Sequence, residues 1–268
     1  MSAESGLFDF RGEIAFVVLS CDRYADLWEP CIRRLRRHWP DMPFDVYLVA
    51  NYKEFHGPGV RTLHTGEDVD WSTTVRRALE QVPHPYVFFW FDDAFLNKRV
   101  RAVEVAGYLK WAIHNRADYL RLRDFPRPGE TVAENIGRLV ERVPYRNTCF
   151  ASLWRREVFL EILRDGESAA DFEMQGTRRS DPYPRFYGVN RCPIEYIHGV
   201  VRGVWLRSAL RNLVSTGDVR TAERPVMSAV REAIWRLCEI KGAIVGRLPP
   251  GWAEVVFTIK RLAAGRSR

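Results

Sequence analysis

Tyr86-Val87-Phe88-Phe89-Trp90-Phe91 is followed at once by Asp92-Asp93. Six apolar residues without polar alternation, preceded by Pro83 and Pro85 and closed by acids, suit a short strand covered on both faces of a parallel sheet. Working outward, apolar runs at 13–19, 44–50 and 60–63 read as further strands, and helical spacing over 27–39 and 100–115 supplies the elements between them. Ser72 is read as the cap of a helix reaching about Val82, and 119–122 as a returning strand. Strands alternating with helices predict βαβ units: a Rossmann-like, mostly parallel sheet flanked by helices.

The second half is less regular. Phe125-Pro126-Arg127-Pro128-Gly129 is a loop by composition. Residues 148–154 read as a strand leading into a helix over 155–163. Ser168, with Asp171 three residues on, has the form of a capping box opening a short helix. The polar stretch 178–185, with Pro182 and Pro184, reads as a loop, and 194–201 as a last strand. Beyond Val204 the pattern turns helical, with Met227, Val230, Ile234 and Leu237 on one face. This divides the chain into a body, 1–204, and a C-terminal basic amphipathic helical extension, 205–268.

Charge follows the same division. The whole chain is +7; residues 205–268 hold 12 Lys+Arg against 5 Asp+Glu, which is +7, so residues 1–204 balance. A neutral body argues against a nucleic-acid binder. The basic tail suits an acidic partner such as anionic lipid headgroups, with Trp252, Val256, Phe257 and Ile259 dipping into the interface and Lys260, Arg261, Arg266 and Arg268 meeting the lipid; its alternative is ordinary packing on the body. The five cysteines form no Cys-x-x-Cys pair and read as reduced thiols. With no secretory signal and no long apolar stretch, the expectation is a cytoplasmic protein, peripheral at most on the inner face of the membrane.

In open α/β sheets, ligands lie outside the carboxyl ends of the strands. Asp92 and Asp93 occupy that end of the most apolar strand. Adjacent carboxylates repel each other and are costly to desolvate unless a cation compensates; hard oxygens suit Mg²⁺ or Mn²⁺, which bridge phosphates. The alternative is a solvated strand-to-loop turn. At the equivalent end of the first strand, Ser20, Cys21 and Asp22 are placed to hold a ribose or base and Tyr24 to stack, or simply to form a βα turn.

The strand ending in Ser20-Cys21-Asp22-Arg23-Tyr24, the Trp71-Ser72 pair and Phe88-Phe89-Trp90-Phe91-Asp92-Asp93-Ala94-Phe95 resemble glycosyltransferases of the A-type fold. More narrowly, they resemble the uncharacterised glycosyltransferase-like proteins encoded with bacterial capsule and lipopolysaccharide genes. The resemblance spans about residues 13–205 and continues through Leu153-Trp154-Arg155-Arg156-Glu157-Val158, Asp171-Phe172-Glu173-Met174-Gln175-Gly176 and His198-Gly199-Val200-Val201-Arg202-Gly203. It implies a nucleotide-sugar donor, a UDP-sugar ahead of a GDP-sugar, and transfer to a surface-polysaccharide or lipid-linked glycan acceptor with inversion. The family's Asp-x-Asp motif falls on Asp92-Asp93-Ala94, departing from it because the acids are adjacent. Asp93 is then the expected metal contact, with Asp92, and His198 completes the site. Ser20, Asp22, Tyr24 and Trp71 would bind the nucleoside, and Arg179 or Arg178 the diphosphate. Glu173 or Asp171 would be the base. The rivals are a sugar-1-phosphate nucleotidyltransferase, against which the absence of glycine from 20–26 counts, and a non-catalytic carbohydrate- or lipid-binding protein.

Overall fold

The structure is a computed structural model that describes residues 9–220 and 222–246, with side chains described as far as Ile240. Strand β1 (Ile14–Leu19) leads through a 3₁₀ turn at Asp22–Tyr24 into helix α1 (Ala25–His38). Strands β2 (Asp45–Ala50) and β3 (Val60–His64), helix α2 (Trp71–Glu80) and strand β4 (Tyr86–Phe91) follow. After a short strand β5 (Ala94–Leu96) come α3 (Ala102–His114), β6 (Tyr119–Arg121), and the small strands β7 (Thr131–Ala133) and β8 (Ile136–Arg138). Then β9 (Ser152–Arg155) runs directly into α4 (Arg156–Ile162), followed by α5 (Ala169–Arg179) and β10 (Phe186–Val189). Two short pairs, β11 (Tyr196–His198) with β5 and β12 (Val200–Val201) with β13 (Val204–Trp205), precede α6 (Arg207–Ser215) and α7 (Ala229–Gly246).

The nine-stranded sheet has the order β3-β2-β1-β4-β9-β6-β10-β8-β7. Strands β3, β2, β1 and β4 are mutually parallel, and β8 and β9 run against the rest. The expected mostly parallel α/β sheet is therefore present. Strand β4, read as lying inside a parallel sheet, is parallel to β1 on one side and antiparallel to β9 on the other. Period-two alternation sends Phe16, Val18, Phe88 and Trp90 into the core under α1 and α3, and Ala15, Val17, Val87 and Phe89 into the core under α2, α4 and α5. Aromatic pairs fill both layers: Phe16 stacks on Phe88 at 5.3 Å, and Phe89 meets Phe159 at 4.9 Å.

Several local readings change. Ser72 is not the cap of α2: Asp70 is, its Oδ1 accepting from the Thr73 N–H at 2.8 Å, while the Ser72 hydroxyl donates back to Asp70. The buried face of α3 is made by Val105, Ala106, Tyr108, Leu109 and Ala112, while Val103 is exposed. The stretch 178–185 is not a free loop, since Arg178 and Arg179 finish α5 and the buried Arg146 donates to the carbonyls of Ser180 and Tyr183. Strand β10, Phe186-Tyr187-Gly188-Val189, is too short to show a period in the sequence.

The C-terminal segment packs on the body through α6. Arg34 on α1 is almost wholly buried, pairs with the fully buried Asp218 at 2.6 Å and donates to Asn212 and Thr216. Removing one partner of a buried ion pair leaves the other charge uncompensated, at about 3–5 kcal/mol. Asp218→Ala is therefore expected to lower the unfolding free energy by about that amount in urea titration. A loss below about 1 kcal/mol would show that α6 docks without the pair.

Candidate functional site

From β1 the chain moves to β2 and β3 on one side and returns through β4 on the other, so the loops leaving β1 and β4 diverge at a topological switch point. A cavity of about 460 Å³ opens there. Its walls include Ser20, Cys21 and Tyr24 after β1, Asp68, Asp70 and Trp71 before and at the start of α2, Asp92 and Asp93 after β4, and Ala169 at the start of α5.

Asp92 and Asp93 are the electrostatic centre. The apolar strand before them carries Asp92 into the protein, where it is buried. Trp28 Nε1 donates to Ser20 Oγ at 2.6 Å, and Ser20 Oγ in turn donates to Asp92 Oδ2. Burial, then the neighbouring Asp93 charge, push the Asp92 carboxyl well above its usual range despite the Ser20 bond. Burial raises Asp93 to about 6, so the two titrate together. Arg224, from the segment between α6 and α7, lowers both. Its guanidinium lies 4.2 Å from the Tyr24 ring centroid and pairs with Asp26 at 2.6 Å.

These carboxylates fit a divalent cation of the kind that takes one or two protein acids and completes its shell with phosphate oxygens and water. Among the described residues, no group of three His, Cys, Asp or Glu side chains is gathered to hold a metal without such help. His198 is brought near in backbone only: β11 pairs with β5 so that His198 lies opposite Ala94, and the Gly199 N–H donates to the Asp93 carbonyl at 2.7 Å. Its imidazole packs among Phe150, Tyr196 and Trp235 and lines a second cavity of about 470 Å³, while burial and Arg123 lower its pKa to about 4.

The remaining sequence candidates separate. Ser20, Tyr24 and Trp71 line the first cavity, Trp71 half-buried with Phe172 behind it at 5.6 Å. Asp22 holds backbone: its carboxylate accepts the N–H groups of Asn51, Tyr52 and Lys53, and its own N–H donates to Asn51 Oδ1, so it clamps the loop after β1 to the loop after β2. Arg179, at the last turn of α5, pairs with Glu167 at 2.7 Å and is not part of the cavity wall. Asp171 is exposed and closes the capping box with Ser168, which holds its carboxyl below the usual range.

Glu173 has a different setting. Spaced i, i+4 from Ala169, it lies on the same side of α5 as that residue but, like Arg179, is not part of the cavity wall; it is half-buried against the loop before β9, whereas Asp171 is exposed. Its Oε1 accepts from Thr148 Oγ1 and from the Cys149 N–H at 3.3 Å; burial raises its pKa against those bonds and the nearby Arg123 charge. Residue Phe150, next along that loop, stacks at 5.6 Å on Phe91 of the cavity wall.

Arg23, Asp68, Asp70 and Arg224 were not singled out in the sequence. Arg23 and Asp68 form an ion pair at 3.0 Å, and both line the cavity. Asp70, six residues beyond β3, had a legible signal as an N-cap residue before Trp71-Ser72. Arg224 had none, because its partners lie about 200 residues earlier.

No protein-family model matches the chain, and no curated protein matches it. Among solved structures, S. aureus TarS 1-349 is similar at 14% identity and a TM-score of 0.47, over 69% of this chain and 59% of that one. TarS 1-349 in complex with UDP-GlcNAc is similar at 15% identity and a TM-score of 0.46, over 69% and 57%. A UDP-glucose pyrophosphorylase complexed with UDP-glucose is similar at 6% identity and a TM-score of 0.47, over 69% and 92%. The chain thus spans less than two thirds of the length of the TarS fragment.

Because folding raises the pKa of the Asp92–Asp93 pair, the folded chain holds protons that the unfolded chain has already released. Stability contributed by this pair therefore falls as pH rises above about 4 and through the raised folded values, about 6 for Asp93. Asp92→Asn removes one buried charge while keeping an acceptor for Ser20. In metal-free buffer it is expected to flatten that fall and to leave the variant more stable than wild type at pH 8 by about 1–3 kcal/mol. Urea titrations at pH 5 and pH 8 measure this, and parallel curves for the two proteins would show the pair is solvated.

Proposed function

We propose that the chain is a glycosyltransferase that moves a sugar from a nucleotide-sugar donor, a UDP-sugar in the first instance, to a glycan or lipid-linked glycan acceptor of the bacterial surface, with inversion at the anomeric carbon. The observation that carries this reading is the desolvated Asp92–Asp93 pair on the wall of a cavity at the β1/β4 switch point, with the Trp71 and Tyr24 rings on the same wall. An adjacent pair of buried acids is an unfavourable arrangement for a bare protein and a useful one where a cation and a diphosphate arrive together.

In this reading Trp71 and Tyr24 give the nucleoside flat apolar surfaces, and Ser20 fixes the Asp92 carboxylate by hydrogen bonding. Asp93, with Asp92, holds Mn²⁺ or Mg²⁺, which when bound neutralises the charge of the departing nucleoside diphosphate. Glu173 accepts the proton of the attacking acceptor hydroxyl. Its carboxyl is anchored through Oε1, and its raised pKa brings it nearer to working pH than an ordinary glutamate. Asp171 has no part in the chemistry because its carboxylate is committed to the cap of α5.

Thermal melting against nucleoside diphosphates and nucleotide sugars, with and without Mn²⁺, tests the donor site. A binder raises stability by RT ln(1 + [L]/Kd), so one nucleotide is expected to stabilise the wild type with Mn²⁺ and to lose that effect in Asp93→Asn. No shift with any nucleotide in a folded sample would remove the donor site and leave a non-catalytic module. Release of pyrophosphate from a nucleoside triphosphate given with a sugar 1-phosphate, and no release of nucleoside diphosphate from a nucleotide sugar, would make the chain a nucleotidyltransferase.

Glu173→Gln is expected to keep the nucleotide shift and to lower transfer by about 10²–10⁴-fold. The acid limb of the pH–rate profile, which rises as Glu173 deprotonates, should disappear with it. Asp171→Asn should retain most of the activity. The reverse pattern would move the base to Asp171.

A further inference from the structure

Helix α7 packs with its polar side against α6 and, through Trp235, against β11. Glu232 is buried, and its carboxylate accepts from the Ser208 N–H and hydroxyl. Trp235, one turn on, sets its ring against His198, and Arg236 bridges Ser208 and Glu232. The other side of the same helix carries Val230, Ile234, Leu237 and Ile240, spaced i, i+4, i+7 and i+10, and these are 72%, 58%, 65% and 57% exposed. The usual placement, apolar stripe inward and charges outward, is inverted. Four large apolar residues on one exposed stripe form a contiguous patch and not scattered surface hydrophobes. Through Ile240 the stripe continues into the cavity that Trp235, Leu206 and Ile197 help to wall.

We propose that this face of α7 is an interfacial helix that lies on an anionic lipid surface. Charge selects the occupant. Arg231 is exposed at one edge of the apolar stripe, where the cations of an in-plane helix meet headgroups; Arg236, half-exposed at the other edge, is shared with Glu232. From Lys241 to Arg268 the sequence adds six Lys+Arg against Glu254 alone, a further +5 on the same side of the chain order. Two copies joined through this face would bring like charges together, whereas an anionic bilayer offers them partners. No helix among the described residues is long and apolar enough to cross a membrane, so the association is in-plane. This inference extends the tail expectation to a different element: Trp252, Val256, Phe257 and Ile259 lie outside the described residues, whereas α7 stands on observed exposure.

Vesicle co-sedimentation of the full chain tests it, on phosphatidylcholine alone and on phosphatidylcholine with phosphatidylglycerol, at low and high salt. Wild type is expected on the anionic vesicles, released by salt and absent from neutral ones. Ile234→Asp with Leu237→Asp, both at exposed positions, should cut the bound fraction by about tenfold or more while leaving the melting temperature unchanged. Failure of wild type to bind, or equal binding by that variant, would overturn the proposal. So would loss of binding in Val256→Asp with Phe257→Asp while the α7 variant binds normally. A wild-type dimer in sedimentation velocity that the α7 variant splits, with vesicle binding unaltered, would make the face a contact between copies. The assay uses no sugar donor, so its failure leaves the proposed transfer untouched, and failure of transfer leaves it untouched in turn.

Discussion

Strand β4 is apolar on both faces, and its last step delivers a carboxylate into the space that the strand has dried. The rest of the molecule is arranged around this one constraint. Phe88 and Trp90 are fixed in one core and Val87 and Phe89 in the other, so the strand cannot slip by a residue without turning both layers inside out. Asp92 is therefore held largely out of water at the cavity wall, and the Trp28–Ser20–Asp92 chain of hydrogen bonds from the adjacent β1 loop is its compensation. The compensation is incomplete, since both acids remain shifted upward; in the proposed function a cation with a diphosphate would relieve that residual cost.

Helix α5 shows how local geometry divides two neighbouring acids between different tasks. Its capping box draws Asp171 back to Ser168 at the exposed end. Two residues later the helix has turned, and Glu173 faces inward to the Thr148–Cys149 loop. The spacing that separates cap from interior is the ordinary 3.6-residue turn. The sequence alone left these two residues as alternatives because both are acids within one turn of the same helix.

The C-terminal segment is joined to the body by charge as much as by apolar packing. Asp218 closes on the buried Arg34, and Arg224 reaches Asp26 and the Tyr24 ring; within the segment itself, Glu232 of α7 closes on Ser208 of α6. Polar groups that a surface helix would ordinarily show to solvent are thereby turned inward, and in α7 the apolar residues are left outside. The basic character read from residues 205–268 is thus partly consumed in internal pairs and partly displayed along the edges of α7.

Hydrophobic period, caps and turn residues determined, from the chain itself, the strands β1, β2, β3 and β4, the helices between them, the parallel sense of that half of the sheet and the placing of Asp92-Asp93 at a strand end. These signals are local, carried by neighbours in the chain, and so they survive without a fold. Tertiary structure alone decided that Asp22 clamps a loop, that His198 turns away into a second cavity, that Arg179 stays with Glu167 and that Arg224 reaches the Tyr24 ring. It also decided which face of α7 is bare. Ser20 and Asp92 stand 72 residues apart, and Arg224 and Asp26 stand 198 apart. A side chain's partner depends on where a distant segment lands, and no periodicity along the sequence encodes that distance.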